Sequence, residues 1–249
     1  MIKIKNLSSG YGKNNILSDI SCTFKKEKLT SVVGVNGSGK TTLLKTIVGI
    51  LPAFSGEITV DGITLSEIPS KERAKKIAYL PQGRDLVDMT AFGLVLHGRF
   101  PYLGLSRRYC DEDKMIARKA MAKMKISDIE DQPISSLSGG IRQKVYIAMA
   151  LAQRAEYILL DEPATYLDIS HQLSLLETLK SCCNEGKGVI TVMHDLPMAM
   201  NYSDEIVLVS NGKILTQATP REIYESGILT EIFGVGIGYS ENDKKYFYK

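Results

Sequence analysis

Apolar positions fall along this chain in two rhythms, and the change between them divides it into blocks. Thr30-Ser31-Val32-Val33, Ile77-Ala78-Tyr79-Leu80, Tyr157 to Leu160 and Val189 to Met193 are short apolar runs. That is how parallel strands buried on both faces read. Met1-Ile2-Lys3-Ile4-Lys5 alternates apolar and basic residues and predicts the start of a strand. Glu57 to Val60 with Asp61-Gly62 predicts a strand and a tight turn, and Ile206 to Val209, Asn211-Gly212 and Ile214-Leu215 predict a hairpin. Between about 82 and 155 the period lengthens. Met115, Ala117, Ala120, Met121, Met124 and Ile126 recur at helical spacing among Lys and Arg, which predicts an amphipathic helix with its Met stripe in the core. A second helix is predicted over Gly139 to Gln153, with Ser138 as its N-cap. A third runs from Thr41 to Ile50 and is closed by Pro52, and Leu173, Leu175, Leu176 and Leu179 imply a fourth.

The blocks are thus 1–81 and 156–233, which alternate strands and helices, and 82–155, which is helical. The tail, 234–249, is Gly-rich, then charged and aromatic, and is expected to be loosely held. There is no internal repeat. With 44% hydrophobic and 24% charged residues, the 249-residue chain is too apolar for disorder. No run approaches the roughly eighteen apolar residues of a spanning helix, and the N-terminus lacks the apolar stretch of a signal peptide. A cytosolic protein is expected, one able to sit on a membrane partner. A net charge of +3 does not point to nucleic acid. Cys22, Cys110, Cys182 and Cys183 show no metal-ligand spacing and read as reduced thiols.

Three motifs carry chemistry. Gly34-Val35-Asn36-Gly37-Ser38-Gly39-Lys40-Thr41 fits G-x-x-x-x-G-K-[ST] in full, between a predicted strand and a predicted helix. Its glycines let backbone N–H groups converge on phosphates at a helix N-terminus. Lys40 can then reach the β- and γ-phosphates, and the Thr41 hydroxyl can ligate Mg²⁺. Asp161-Glu162 ends a strand, where α/β sheets bind ligands. There Asp161 would hold Mg²⁺ through water and Glu162 would polarise an attacking water. Leu137-Ser138-Gly139-Gly140 offers a second glycine turn at a helix N-terminus.

Together these motifs resemble the ATP-binding cassette (ABC) ATPases, and the resemblance covers the chain from Tyr11 to about Phe233. It implies an α/β P-loop NTPase with the ABC-type nucleotide-binding fold: a RecA-like core, an antiparallel β subdomain and an inserted all-α subdomain. It implies ATP and Mg²⁺ as ligands and a sandwich of two copies of the chain, each ATP lying between one glycine loop and the partner's Ser138-Gly139-Gly140. Gly34, Asn36, Gly37, Ser38, Gly39, Lys40, Thr41 and Thr42 would bind the phosphates. Tyr11 would stack on adenine. Gln82 would sense the γ-phosphate and Mg²⁺, Asp168 would lie in the loop that communicates across the dimer, and His194 would contact the γ-phosphate. His97 and His171 take no such position. The chain departs from the pattern at Ile141, where Gln or Glu is usual, at Lys144, where Arg is usual, and in the tail.

Two further stretches resemble one branch, the ATPases of iron-chelate (siderophore), haem and vitamin B12 importers. They are His97-Gly98-Arg99-Phe100-Pro101-Tyr102 and Tyr166-Leu167-Asp168-Ile169-Ser170-His171-Gln172. This resemblance implies an ATPase powering uptake of an Fe(III)-siderophore through a polytopic permease, with a substrate-binding protein outside the cell. The chain would be peripheral at the cytoplasmic face of the membrane, and no nucleic acid would be involved. Haem and cobalamin stay open as cargo, and a soluble ABC machine is the rival class. A permease helix would seat near Gln82 to Tyr102.

Overall fold

The computed structural model describes residues 1–83, 88–104, 108–165 and 167–249. Two long strands, β1 (Ile2–Tyr11) and β2 (Asn14–Phe24), open the chain and pair antiparallel. The buried strand β3 (Leu29–Val33) runs into the glycine loop and α1 (Lys40–Ile47). Then β4 (Ala53–Val60) returns to pair with β1, and β5 (Ile63–Thr64) follows the Asp61-Gly62 turn. After α2 (Ser70–Lys76) and β6 (Ile77–Leu80) comes the helical block, α3 (Ala91–His97), α4 (Asp111–Lys123) and α5 (Gly139–Ala152). The chain rejoins the sheet with β7 (Tyr157–Asp161), α6 (Ile169–Asn184), β8 (Gly188–Val192), α7 (Leu196–Tyr202) and the hairpin β9 (Glu205–Ser210) and β10 (Lys213–Ala218). It ends with α8 (Pro220–Ser226), α9 (Ile228–Phe233) and a second hairpin, β11 (Ile237–Ser240) and β12 (Lys245–Tyr248).

The central sheet has the order β10-β9-β3-β8-β7-β6, parallel except for β10 at its edge. The antiparallel sheet has the order β2-β1-β4-β5. The strict two-residue alternation of a strand explains the continuous apolar runs. Leu29 and Val33 of β3, Ile158 and Leu160 of β7, and Ile206 and Leu208 of β9 enter the core shared with the helical block. Val32, Leu159, Val207 and Val209 enter the other core, with α1 and the antiparallel sheet. Each central strand therefore serves two cores, which leaves no polar face.

Three expectations need correction. In α4 the buried face is Ile116, Ala117, Ala120 and Met121, one helical stripe, and Met115 is 48% exposed on the opposite side. The helix ends at Lys123, so Met124 and Ile126 are buried beyond it, where Lys125 turns the backbone at φ 56°. Likewise α1 stops at Ile47, and Gly49, at φ 72°, turns the chain before Pro52. The tail is not loosely held. It folds as β11–β12, with Ile237 in the larger core and Asn201 of α7 bonded to both backbone groups of Tyr246.

The helical block is tied by Arg99. Its Nε lies 2.9 Å from Asp113 Oδ1, one guanidinium nitrogen donates to the Ala152 carbonyl at 3.1 Å, and its plane stacks 3.7 Å from the centroid of the Tyr102 ring. Burial alone would raise the Asp113 pKa, but Arg99 and the Cys110 N–H and thiol outweigh it and hold this carboxyl below its ordinary value. The pair therefore adds stability that is present above the unfolded-state pKa, near 3.8, and is lost as pH falls through the lower folded value. Arg99→Met leaves the buried Asp113 without its charged partner, with only the Cys110 N–H and thiol to hold it, and should cost roughly 3 kcal/mol by urea unfolding at pH 7. The wild-type-minus-variant stability difference should shrink as pH falls below 3.8.

Candidate active site

The glycine loop is shaped by close approach. A Cβ on Gly34 would stand 2.1 Å from the Val209 carbonyl oxygen, and Gly37 and Gly39 turn at φ 78° and 107°. The Asn211-Gly212 turn supports the loop from behind. The Gly212 N–H donates to Ser38 O at 3.0 Å, and Ser18 N–H donates to Gly212 O at 2.9 Å. The Lys40 ammonium donates to Gly34 O at 2.8 Å and Val35 O at 3.1 Å. Burial lowers the Lys40 pKa, opposed by the charges of Glu162 and Asp161. The Ser38 hydroxyl is buried with no hydrogen-bond partner among the described residues, a polar atom suited to a phosphate oxygen.

Three neighbouring strand ends meet at Glu162. It follows β7 in the left-handed conformation, φ 52°. Gln82 Nε2, past the end of β6, donates to Glu162 Oε2 at 2.5 Å. His194 Nε2, past the end of β8, lies 2.5 Å from Glu162 Oε1. Asp161 is buried, and its Oδ1 accepts from Thr41 Oγ1 at 3.2 Å. Burial raises the Asp161 pKa, Thr41 opposes this, and the Glu162 charge adds to it.

Most of these groups line one cleft of about 520 Å³, though Gly34, Ser38 and Asp161 are not in its walls. Its walls bring together Tyr11, Asn36, Gly37, Gly39, Lys40, Thr41, Thr42, Gln82, Glu162 and His194. The Thr41 hydroxyl and the Gln82 amide in the cleft, with the buried Asp161 carboxylate bonded to Thr41, form a hard-oxygen donor set that fits Mg²⁺. No group of three or more His, Cys, Asp or Glu side chains among the described residues could cage a metal. Such a cation would therefore take its other ligands from phosphate and water.

Ser138, Gly139 and Asp168 are exposed, Gly140 is half-buried, and none of the four lines the cleft. Ser138 Oγ accepts from Ile141 N–H at 3.5 Å at the start of α5. Asp168 caps α6: it accepts from the His171 N–H and from Ser170 Oγ, both at 2.9 Å, and pairs with His171 Nδ1 at 2.9 Å. The His171 N–H, then Ser170 and the His171 ring, hold the Asp168 carboxyl at about 2. Tyr166, quoted above as part of this segment, lies outside the described residues. His97 meets Phe100 and Tyr109, away from the cleft. Ile141 packs half-buried against the helical core.

Sequence reasoning missed three participants. Ile16 lines the cleft, Gly212 supports the loop, and Gln143 of α5 donates to Pro163 O at 2.6 Å, tying α5 to the turn that carries Glu162. A glutamine amid Val145, Tyr146 and Ile147 was the available signal for the last.

The ABC transporter family pattern matches residues 17–165. Across 95% of this chain and 94% of the relative, the chain is 39% identical to the petrobactin import ATP-binding protein YclP of Bacillus subtilis (strain 168). It is 37% identical to the ferric enterobactin transport ATP-binding protein FepC of Escherichia coli (strain K12), across 93% of this chain and 86% of that one. It also superposes on the dimeric structure of a post-hydrolysis state of an ATP-binding cassette bound to ADP and Pi, with a TM-score of 0.79 at 27% identity, covering 89% of this chain and 99% of that one.

Gly212 sits at φ 72°, and a Cβ there would stand 2.0 Å from Ile16 O. Gly212→Ala should therefore displace the support of the loop and weaken binding of a fluorescent ATP analogue by at least about tenfold, at a stability cost of roughly 1–3 kcal/mol. Wild-type affinity in a folded variant would show that the loop holds its shape without this turn.

Proposed function

This chain belongs to the ABC transporter family, as an ATP-hydrolysing subunit coupled to transport, and from that premise we propose that it powers uptake of an iron chelate of the siderophore class. The observation that carries the chemistry is the Glu162 carboxylate held between Gln82 and His194 in the same cleft as the glycine loop. The import reading rests on the likeness to siderophore import subunits over most of the chain.

In this reading ATP lies in the cleft with adenine against Tyr11. The phosphates meet the backbone N–H groups of Gly34 to Thr42, the Ser38 hydroxyl and the Lys40 ammonium, which leaves its loop carbonyls for the β- and γ-oxygens. Thr41, Gln82 and Asp161 would hold Mg²⁺, which neutralises phosphate charge when bound. Glu162 accepts the proton of the attacking water, and His194 donates a hydrogen bond to the γ-phosphate. A second copy supplies Ser138, Gly139 and Gly140 to the same γ-phosphate, with Asp168 near the seam. The two-chain contact is what gives ATP its differential affinity for the closed state.

Among the described residues no helix is long and apolar enough to cross a membrane, and in this reading transport runs through a separate permease. A groove of about 660 Å³ between α2 and the Phe100–Leu103 turn, with Phe100 54% exposed, offers a seat for a permease helix at the cytoplasmic face. An extracytoplasmic binding protein would deliver the chelate.

Glu162→Gln should retain ATP binding within about twofold while hydrolysis falls by roughly 10²–10⁴-fold, and should trap an ATP-bound dimer on size exclusion. Lys40→Ala should instead lose binding. In cells lacking the subunit, wild-type protein should restore ferric-siderophore uptake and Glu162→Gln should not. Uptake undiminished by Glu162→Gln would sink the proposal.

A further inference from the structure

The C-terminal hairpin reaches the turn that carries His194. Met193 is fixed on one side of this turn: its N–H donates to Val32 O at 3.2 Å, and its sulfur accepts from Ser31 Oγ at 3.1 Å. On the other side α7 begins at Leu196, which is 3% exposed. The first N–H groups of a helix have no partner within it and must find one elsewhere. Asp195, the N-cap, takes the Met198 N–H at 2.7 Å, and Pro197 has none to offer. The Leu196 N–H, another of these donors, is taken by the hydroxyl of Tyr248 at 3.2 Å.

The same strand also grips the far end of α7. The Asn201 side chain donates to Tyr246 O at 3.0 Å and accepts from Tyr246 N–H at 2.8 Å. The hairpin is anchored in turn. Ile237 is buried in the larger core, and the rings of Tyr224, Tyr239 and Tyr246 cluster with centroids 4.9–6.2 Å apart. Its last residue closes on Gly236, with Lys249 N–H donating to Gly236 O at 2.9 Å. His194 and Asp195 thus span two fixed points, Met193 on β3 and Leu196 on β12.

We infer that the C-terminal hairpin is a positioning element of the ATPase site: Tyr248 completes the cap of α7 and fixes the backbone from which His194 is aimed at Glu162. This rests on the proposed contact of His194 with the γ-phosphate. Tyr248 touches no reacting atom and acts through His194 alone. Its ring is 48% exposed, so Tyr248→Phe removes the acceptor without opening the core.

The full chain carries three histidines, so each imidazole signal can be assigned by NMR with its own His→Gln variant. In Tyr248→Phe the His194 signals should shift or broaden while those of His97 and His171 stay. The kcat for ATP should fall by roughly three- to tenfold with KM unchanged within about twofold, the mark of an interaction made in the transition state. Asn201→Ala, which frees the other end of the clamp, should move the same His194 signals. His194 signals unmoved in both folded variants would overturn the inference whatever the activity. So would a raised KM with kcat intact. If His194 signals move as expected but His194→Ala hydrolyses ATP at the wild-type rate, the hold of the hairpin on the turn stands. The γ-phosphate reading of His194 fails in that case, and with it the catalytic consequence.

Discussion

The carboxylate of Glu162 is the point on which the cleft depends, and the strand order is what makes that point possible. In the sequence β3-β8-β7-β6, the four strand ends carry the glycine loop, His194, Glu162 and Gln82 side by side. No two of these are close in the chain; Gln82 and Glu162 are eighty residues apart. Glu162 meets both neighbours only because its backbone turns into the left-handed region at φ 52°. For a residue with a Cβ this conformation costs on the order of 1–2 kcal/mol and persists only where the surroundings over-determine it. The surroundings do so here. Asp161 is locked to Thr41, and the Pro163 carbonyl is held by Gln143.

Gln143 carries that constraint into the helical block. Its helix, α5, begins at Ser138-Gly139-Gly140 and ends one short turn before β7, so a rotation of the block pulls directly on the turn bearing Glu162. Gln172 of α6 holds the next stretch, donating to Ala164 O and Leu167 O at 3.3 and 2.9 Å. The carbonyls of Pro163, Ala164 and Leu167 are thus held by one glutamine from α5 and one from α6.

The fold and the cleft were legible in the sequence wherever function demands a fixed spacing. The glycine loop, the Asp161-Glu162 strand end and the apolar runs of β3, β6, β7 and β8 all depend on local geometry, and local geometry leaves a local pattern. What escaped was set by tertiary contact. Gly212 reads as a hairpin glycine, and only the packing of that hairpin against Ser18 and Ser38 turns it into a support for the loop. Met115 shares helical spacing with a buried stripe yet falls on its far side, since Ile116 and not Met115 lies on the buried face. The tail looked loose because Gly234 to Gly238 and the charged turn mask a four-residue strand, which Asn201 and a cluster of three tilted tyrosine rings hold in place.

Asp168 shows how a side chain can be in the right segment with a different task. Its carboxylate accepts from the His171 N–H and Ser170 Oγ and pairs with the His171 ring, so three of its roughly four acceptor sites are used within its own chain. Held at about 2, it stays ionised through the physiological range. Lys144 of α5 feels that charge: burial lowers its pKa and Asp168 opposes the shift, which places the glycine turn of α5 and the start of α6 within electrostatic range. In the proposed two-chain sandwich, Asp168 would contribute chiefly the shape of this loop, and Ser138, Gly139 and Gly140 would be the groups left to meet a phosphate.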